Sequence, residues 1–283
     1  MQKAAAKYFK AYAEPNTIQI AGLAEHSIFD DVVVVPARRE SEHFPRFFES
    51  LLAASRKRDV LLILVVNATE SCTEETLQDN QALIKSLERF PRLGEILAGS
   101  FLVKTEGVSV LTIDRSTAPY SLPLREGVGR ARKIGGDIAS FLILKEIVRS
   151  RFFYSTDADA LLPDHYFNQI PNPTPASAYI FPFSHEAAST DPQIKLATKI
   201  YELFMAYYRS GLKFANSPYS FHTIGSTLAV KADAYTQVRG FPIREAGEDF
   251  YLLNKLRKVG PIRDLDSRPI ILSGRLSDRV PFG

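Results

Sequence analysis

A single cysteine, Cys72, stands among 283 residues. One thiol excludes an intramolecular disulfide and a cysteine-rich metal site, and it fits a reducing compartment. No basic residue neighbours it in sequence to make a nucleophile of it. A large excess of either charge is also lacking: Lys+Arg 35 against Asp+Glu 32 leaves a net charge of +3. That is too mild for a nucleic-acid binder, and no basic run with interleaved aromatics interrupts the chain. The apolar runs at 32–35 and 60–66 fall far short of the roughly 20 residues needed to cross a bilayer. The opening MQKAAAKYFKAYAEPN has no apolar signal core, so residues 1–30 read as a lead-in helix or arm. A cytoplasmic protein is the expectation, with peripheral docking at the inner face of the membrane left open. There is no internal repeat, no G-x-S-x-G elbow and no G-x-x-x-x-G-K-[ST] loop. His165, His185 and His222 are scattered and read as structural or surface groups.

With 45% hydrophobic residues, the chain can bury the core of one large domain. DVVVV at 31–35, closed by Pro36, is an unbroken β-branched run of the kind buried on both faces of a sheet, and VLLILVV at 60–66 repeats it. Ser41 is placed to cap a helix carrying Phe44, Phe47, Phe48, Leu51 and Leu52 on one side. Ser71 and Glu74 stand at capping-box spacing ahead of a second helix with Leu77, Ile84 and Leu87. VSVLTI at 108–113 is a third strand. Ile134, Ile138, Phe141, Leu142 and Val148 mark a third helix, and FFYS at 152–155 a fourth strand. Alternation of strand and helix predicts an α/β fold with a mostly parallel central sheet and helices on both faces. Past residue 160 the pattern loosens: strands are predicted at 178–183 and 226–230, and helices over 192–211 and from Glu248. A boundary near Pro171–Pro175 is conceivable, but one continuous domain over 31–283 is expected.

Ligands bind outside the carboxyl ends of strands in such sheets. The stretch from Pro36 to Glu40, Asn67, and the pair Asp157/Asp159 all follow predicted strands, so the topology predicts that they converge. Two carboxylates on a tight turn suit Mg²⁺ or Mn²⁺, which takes hard oxygen ligands and shares them with phosphates. A second Asp-x-Asp triplet, Asp264/Asp266, follows no strong strand and reads as a solvated loop. GVGRARKIGG at 127–136 is not a dinucleotide fingerprint, because the third glycine would fall at Arg132. It reads as a helix start whose Arg130, Arg132 and Lys133 either face phosphate or face solvent. Glu248 and Asp249 are first-turn helix acids, or one of them is a general base. The aromatic segment 201–222 reads as core, a partner surface or an acceptor wall.

VVVVPARRE, LLILVVNATES, GVGRARKIGG, FFYSTDADALLP and TIGSTLAVKADAYTQVRGFPIREAGEDFYLLNKL, in that order, resemble a GT-A glycosyltransferase of the family 2 type over about residues 31–260. The resemblance implies a nucleotide-binding half over 31–160 and an acceptor half over 161–283. It implies that Pro36, Ala37, Arg38, Glu40, Asn67, Arg132, Asp157 and Ala158 bind a nucleotide-diphosphate sugar of UDP or GDP type. Asn67 stands where the family usually has aspartate, and Lys133 where it has asparagine. Asp157 and Asp159 would hold Mn²⁺ or Mg²⁺. Gly225, Gly240 and Phe241 match the stretch before the acceptor site, with Gly225 and Glu248 in the acceptor region itself. Asp249 would be the catalytic base of an inverting transfer to a hydroxyl acceptor. The family often has a late histidine as a further ligand; none follows His222, leaving Arg275 and Arg279 as alternatives. A nucleotide-sugar-binding protein without catalysis is the competing reading. A Mg²⁺-dependent phosphohydrolase ranks below it, since Leu161 stands where that chemistry wants threonine and the triplet follows the fourth strand.

Overall fold

The computed structural model describes residues 3–275 apart from positions 16, 26, 188–190 and 245; Arg279 lies outside the described residues. The first strands are β1 (Asp31–Ala37), β2 (Val60–Asn67), β3 (Arg92–Gly94), β4 (Ser100–Lys104), β5 (Val108–Arg115) and β6 (Phe152–Ser155). They are followed by β7 (Ala178–Ile180), β8 (Phe183–Ala187), β9 (Leu228–Lys231), β10 (Ile262–Asp264) and β11 (Ile270–Gly274). The helices are α1 (Lys3–Ala11), α2 (Phe44–Ala54), α3 (Glu74–Leu87), α4 (Val128–Leu144), α5 (Pro192–Phe214), α6 (Ala232–Gln237) and α7 (Glu248–Leu256). A 3₁₀ segment, Thr17–Glu25, links α1 to the sheet.

Nine strands form one sheet in the order β10-β7-β9-β6-β1-β2-β5-β4-β3, and β8 pairs with β11 in a second. In the large sheet β4 and β9 run against the other strands, so the sheet is mostly parallel. The unbroken apolar runs lie at its centre, where every residue of β1 and β2 is buried. Their side chains alternate between two cores. Val32, Val34, Leu61 and Ile63 pack with α4, α6 and α7, while Val33, Val35, Leu62 and Leu64 pack with α2 and α3. Period-two alternation with both faces covered is what turns a continuous hydrophobic run into a central strand.

The glycines of 127–136 serve this packing. A Cβ on Gly135 would lie 2.2 Å from Val34 Cγ1, so α4 reaches the sheet only because position 135 has no side chain. Several local expectations are corrected. His43 opens α2 without a side-chain cap, and Ser41 Oγ donates to Asp79 instead. The cap of α3 is Thr73, whose Oγ1 accepts from the Thr76 N–H at 3.3 Å. The strand expected over 178–183 breaks after Ile180, where Pro182 has no N–H for a ladder, and the chain passes into the second sheet as β8. The hairpin β3–β4 and the strands β10 and β11 had no counterpart in the sequence reading. No helix among the described residues is long and apolar enough to cross a membrane.

Candidate functional site

The carboxyl ends of β1, β2 and β6 open into one cleft of about 1510 Å³. Pro36, Arg38 and Glu40 line it from β1, Asn67 from β2, and Asp157 and Asp159 from the turn after β6. The first turn of α7 adds Glu248 and Asp249, and the end of β11 adds Arg275. Asn80 on α3 fixes the floor: its Nδ2 donates to the Asn67 carbonyl at 3.2 Å and its Oδ1 accepts from the Arg39 N–H at 3.0 Å. Ala37 and Ala158, expected to line the nucleotide pocket, have their side chains in the apolar core.

Arg132 organises one side. Its Nη2 donates to Asp157 Oδ1 at 2.6 Å and its Nε to Glu248 Oε1 at 2.9 Å. Its Nη1 donates to Ser155 Oγ at 3.0 Å and to the Gly225 carbonyl at 3.2 Å. Burial opposes the charge of Arg132, but Asp157, Glu248 and Asp249 outweigh it and hold the guanidinium pKa above its ordinary value. Gly225 is a place where a side chain cannot go, since its Cβ would sit 2.8 Å from the Arg132 Cζ. With the guanidinium fixed by four acceptors, Gly225→Ala is expected to cost about 1–3 kcal/mol. A lower urea midpoint at unchanged slope would show it.

Arg275 organises the other side. Its Nη2 meets Glu40 Oε1 at 2.6 Å and Asp159 Oδ2 at 2.9 Å, with the His43 ring 3.3 Å from Nη1. Burial opposes its charge too, and Asp159 and Glu40 raise its pKa in spite of that. Arg38 also lines the cleft, and its Nε is buried and makes no hydrogen bond among the described residues.

Asp249 is pushed up to about 6, first by burial and then by the charge of Glu248. Arg132 and the N–H groups of Phe250 and Gly225 pull the other way without cancelling this. A half-buried carboxylate poised this near neutrality is suited to take a proton.

The helix start of α4 divides in a way the sequence left undecided. Only Arg132 reaches the cleft. Arg130 is held by Glu14 and Glu126, and Lys133 is buried against Tyr8 at 2.9 Å and Asp137 at 3.0 Å, so neither is a phosphate-facing group. Gly225 is present as an acceptor of Arg132, and Glu248 as its anchor. Asp264 pairs with Arg209 at the surface. Of the aromatic segment, Tyr201 lines the cleft. Asn80, Ser155, Thr69 and Arg125 were missed in the sequence; Asn80 and Ser155 are joined to the site only by long-range hydrogen bonds. Among the described residues, no three or more His, Cys, Asp or Glu side chains are arranged to hold a metal ion by themselves.

No family model and no curated protein sequence matches the chain. Among solved structures it is similar to the crystal structure of S. aureus TarS 1–349, a GT-A-type glycosyltransferase, with a TM-score of 0.50 and 10% sequence identity. The match covers 86% of this chain and 60% of that one. At this identity the likeness is one of fold. The α/β architecture, with its mostly parallel sheet flanked by helices, is a GT-A-like fold.

Proposed function

We propose that the cleft binds a nucleotide-diphosphate sugar and transfers the sugar, with inversion, to an acceptor hydroxyl. One observation carries the reading: Asp157, Glu248 and the neighbouring Asp249 converge on Arg132 at the carboxyl ends of the central strands. That arrangement joins a phosphate-handling edge to a poised base across one opening. In this reading Pro36, Arg38 and Asn67 contact the nucleotide, and the Arg38 guanidinium supplies positive charge beside the diphosphate. Asp249 accepts the proton of the attacking hydroxyl while the anomeric carbon–oxygen bond breaks and its electron pair leaves on the diphosphate. Attack from the face opposite the leaving group inverts the anomeric carbon, and no covalent enzyme intermediate is needed.

The residues fit a divalent cation shared with the donor. Asp157 and Asp159 present hard oxygen donors, and one or two carboxylates suffice where phosphates complete the shell. The charge balance favours it as well. The lining carries the carboxylates Glu40, Asp157, Asp159, Asp191, Glu248 and Asp249 against the guanidiniums of Arg38, Arg125, Arg132 and Arg275. A diphosphate entering an acidic cleft needs an accompanying cation. Mn²⁺ or Mg²⁺ held by Asp157 and Asp159 would neutralise the charge that grows on the leaving diphosphate.

Calorimetric titration of UDP, GDP and CDP, each with and without Mn²⁺, tests the donor site on the wild type and on Asp157→Ala/Asp159→Ala. Binding of one nucleotide that requires Mn²⁺ and is lost in the double variant is the expected result. A chain that binds none of the three under any condition would overturn the reading.

A further inference from the structure

Helix α5 is 23 residues long, and none of them is buried. It rests on the second sheet through one face only. Glu202 Oε1 accepts from the His185 N–H at 2.5 Å and lies 3.1 Å from His185 Nδ1. On the same face Arg209 Nε donates to the Ser220 carbonyl at 3.1 Å. The opposite face carries Leu196, Ile200, Leu203, Tyr207 and Phe214, at steps that keep them on one stripe of a helix. Leu203 is 69% exposed, Tyr207 77% and Phe214 92%. Lys195, Lys199 and Lys213 run along one flank of this stripe, all exposed.

We propose that the outward face of α5 docks on an anionic lipid bilayer. An apolar stripe of large side chains bordered by lysines, on a helix lying over the body of the protein, is the pattern of an interfacial helix. Charge decides between this and a second copy of the chain. The sole acidic residue within α5, Glu202, is turned inward on His185, so the exposed flank offers cations alone. Two copies packed stripe to stripe would set lysine flank against lysine flank if antiparallel, which is unfavourable, and if parallel would leave the lysines with no α5 carboxylate to answer them. An anionic headgroup layer answers those lysines and accepts the stripe, each lysine adding roughly fivefold to the partition. Ile194, Ala197, Thr198 and Tyr201 line the cleft from the same helix. Docking therefore places α5 between the lipid surface and the cleft.

The test is co-sedimentation of the full chain with vesicles of phosphatidylcholine alone and of phosphatidylcholine mixed with phosphatidylglycerol. Leu203→Glu/Tyr207→Glu removes the stripe, and Lys195→Gln/Lys199→Gln/Lys213→Gln removes the charge; none of the five lines the cleft, and thermal melts establish that both variants fold. The wild type is expected to bind the mixed vesicles and not the neutral ones, with at least about tenfold weaker partition in each variant. Wild type that ignores mixed vesicles, or variants that bind as well as it does, would overturn the proposal. So would a dimer in analytical ultracentrifugation that is abolished by Leu203→Glu/Tyr207→Glu while vesicles stay unbound, since a second copy would then be the occupant. Because vesicle binding needs neither nucleotide nor turnover, failure here is separable from failure of the sugar-transfer reading.

Discussion

Arg132→Gln is expected to cost the fold about 3–5 kcal/mol, the scale for a buried ion pair that loses one partner. It should also abolish nucleotide binding. The arginine side chain is 5% exposed and Glu248 6%, so neither is screened well by water. Glutamine would leave Asp157, Glu248 and Asp249 facing one another without the cation that reconciles them. Lysine is no substitute, because one ammonium cannot reach Asp157, Glu248, Ser155 and the Gly225 carbonyl from a fixed fork as a guanidinium does. The loss should be coupled to its partners. Adding Glu248→Gln to Arg132→Gln removes one orphaned charge, and an interaction energy of about 0.5–3 kcal/mol is expected in the cycle. Urea unfolding of the four proteins measures it. If Arg132→Gln unfolds at the wild-type midpoint, the carboxylates are not held together through this residue and the account of the site fails.

Why this arginine could not be singled out from the chain alone has a physical reason. Arg130, Arg132 and Lys133 sit within four positions, and successive residues of a helix point about 100° apart. They therefore face different surroundings: Arg130 meets Glu14 and Arg132 meets Glu248, each 116 residues away in sequence. Arg275 is further still, 235 residues from Glu40. Pairings of that range leave no periodicity to read. The central strands were legible for the opposite reason, since burial on both faces writes an unbroken apolar run into β1, β2 and β6. The short strands β3, β10 and β11 lie at the edges of the large sheet or outside it, where few of their residues are buried and no such run is needed. Asp157 and Asp159 were found through topology, from their place after a buried strand, and not through the triplet, which Asp264/Asp266 repeats to no comparable end. Glu248 and Asp249 were visible as helix acids. That one of them anchors Arg132 and the other is left near neutrality depends on burial, which only the fold supplies.

That division predicts an unusual pair of effects for Asp249→Asn. If Asp249 is the base, the substitution should lower the rate of sugar transfer by about 10²–10⁴, the usual contribution of a positioned proton acceptor, while nucleotide affinity changes little. The same substitution should make the protein more stable at neutral pH. The folded-state pKa of Asp249, about 6, lies above its ordinary value of 3.8, so the folded state holds the proton more tightly than the unfolded chain. Stability from this group is therefore full below the unfolded value and is lost as pH rises through 6; above that, the ionised carboxylate costs the fold on the order of 1–3 kcal/mol. Asparagine never ionises and escapes that cost. The variant should accordingly melt higher than the wild type at pH 7.5, and the gap should narrow as the pH falls from 6 towards 5. The wild-type kcat/KM should in turn show an acid limb near pH 6, where the base of the free enzyme takes up its proton. Thermal melts across this range and a pH–rate profile check both halves. A variant that keeps full transfer activity moves the base elsewhere. One that loses activity without gaining stability at pH 7.5 would mean that Asp249 is already answered by Arg132 and the backbone N–H groups, and is not held in readiness for a proton.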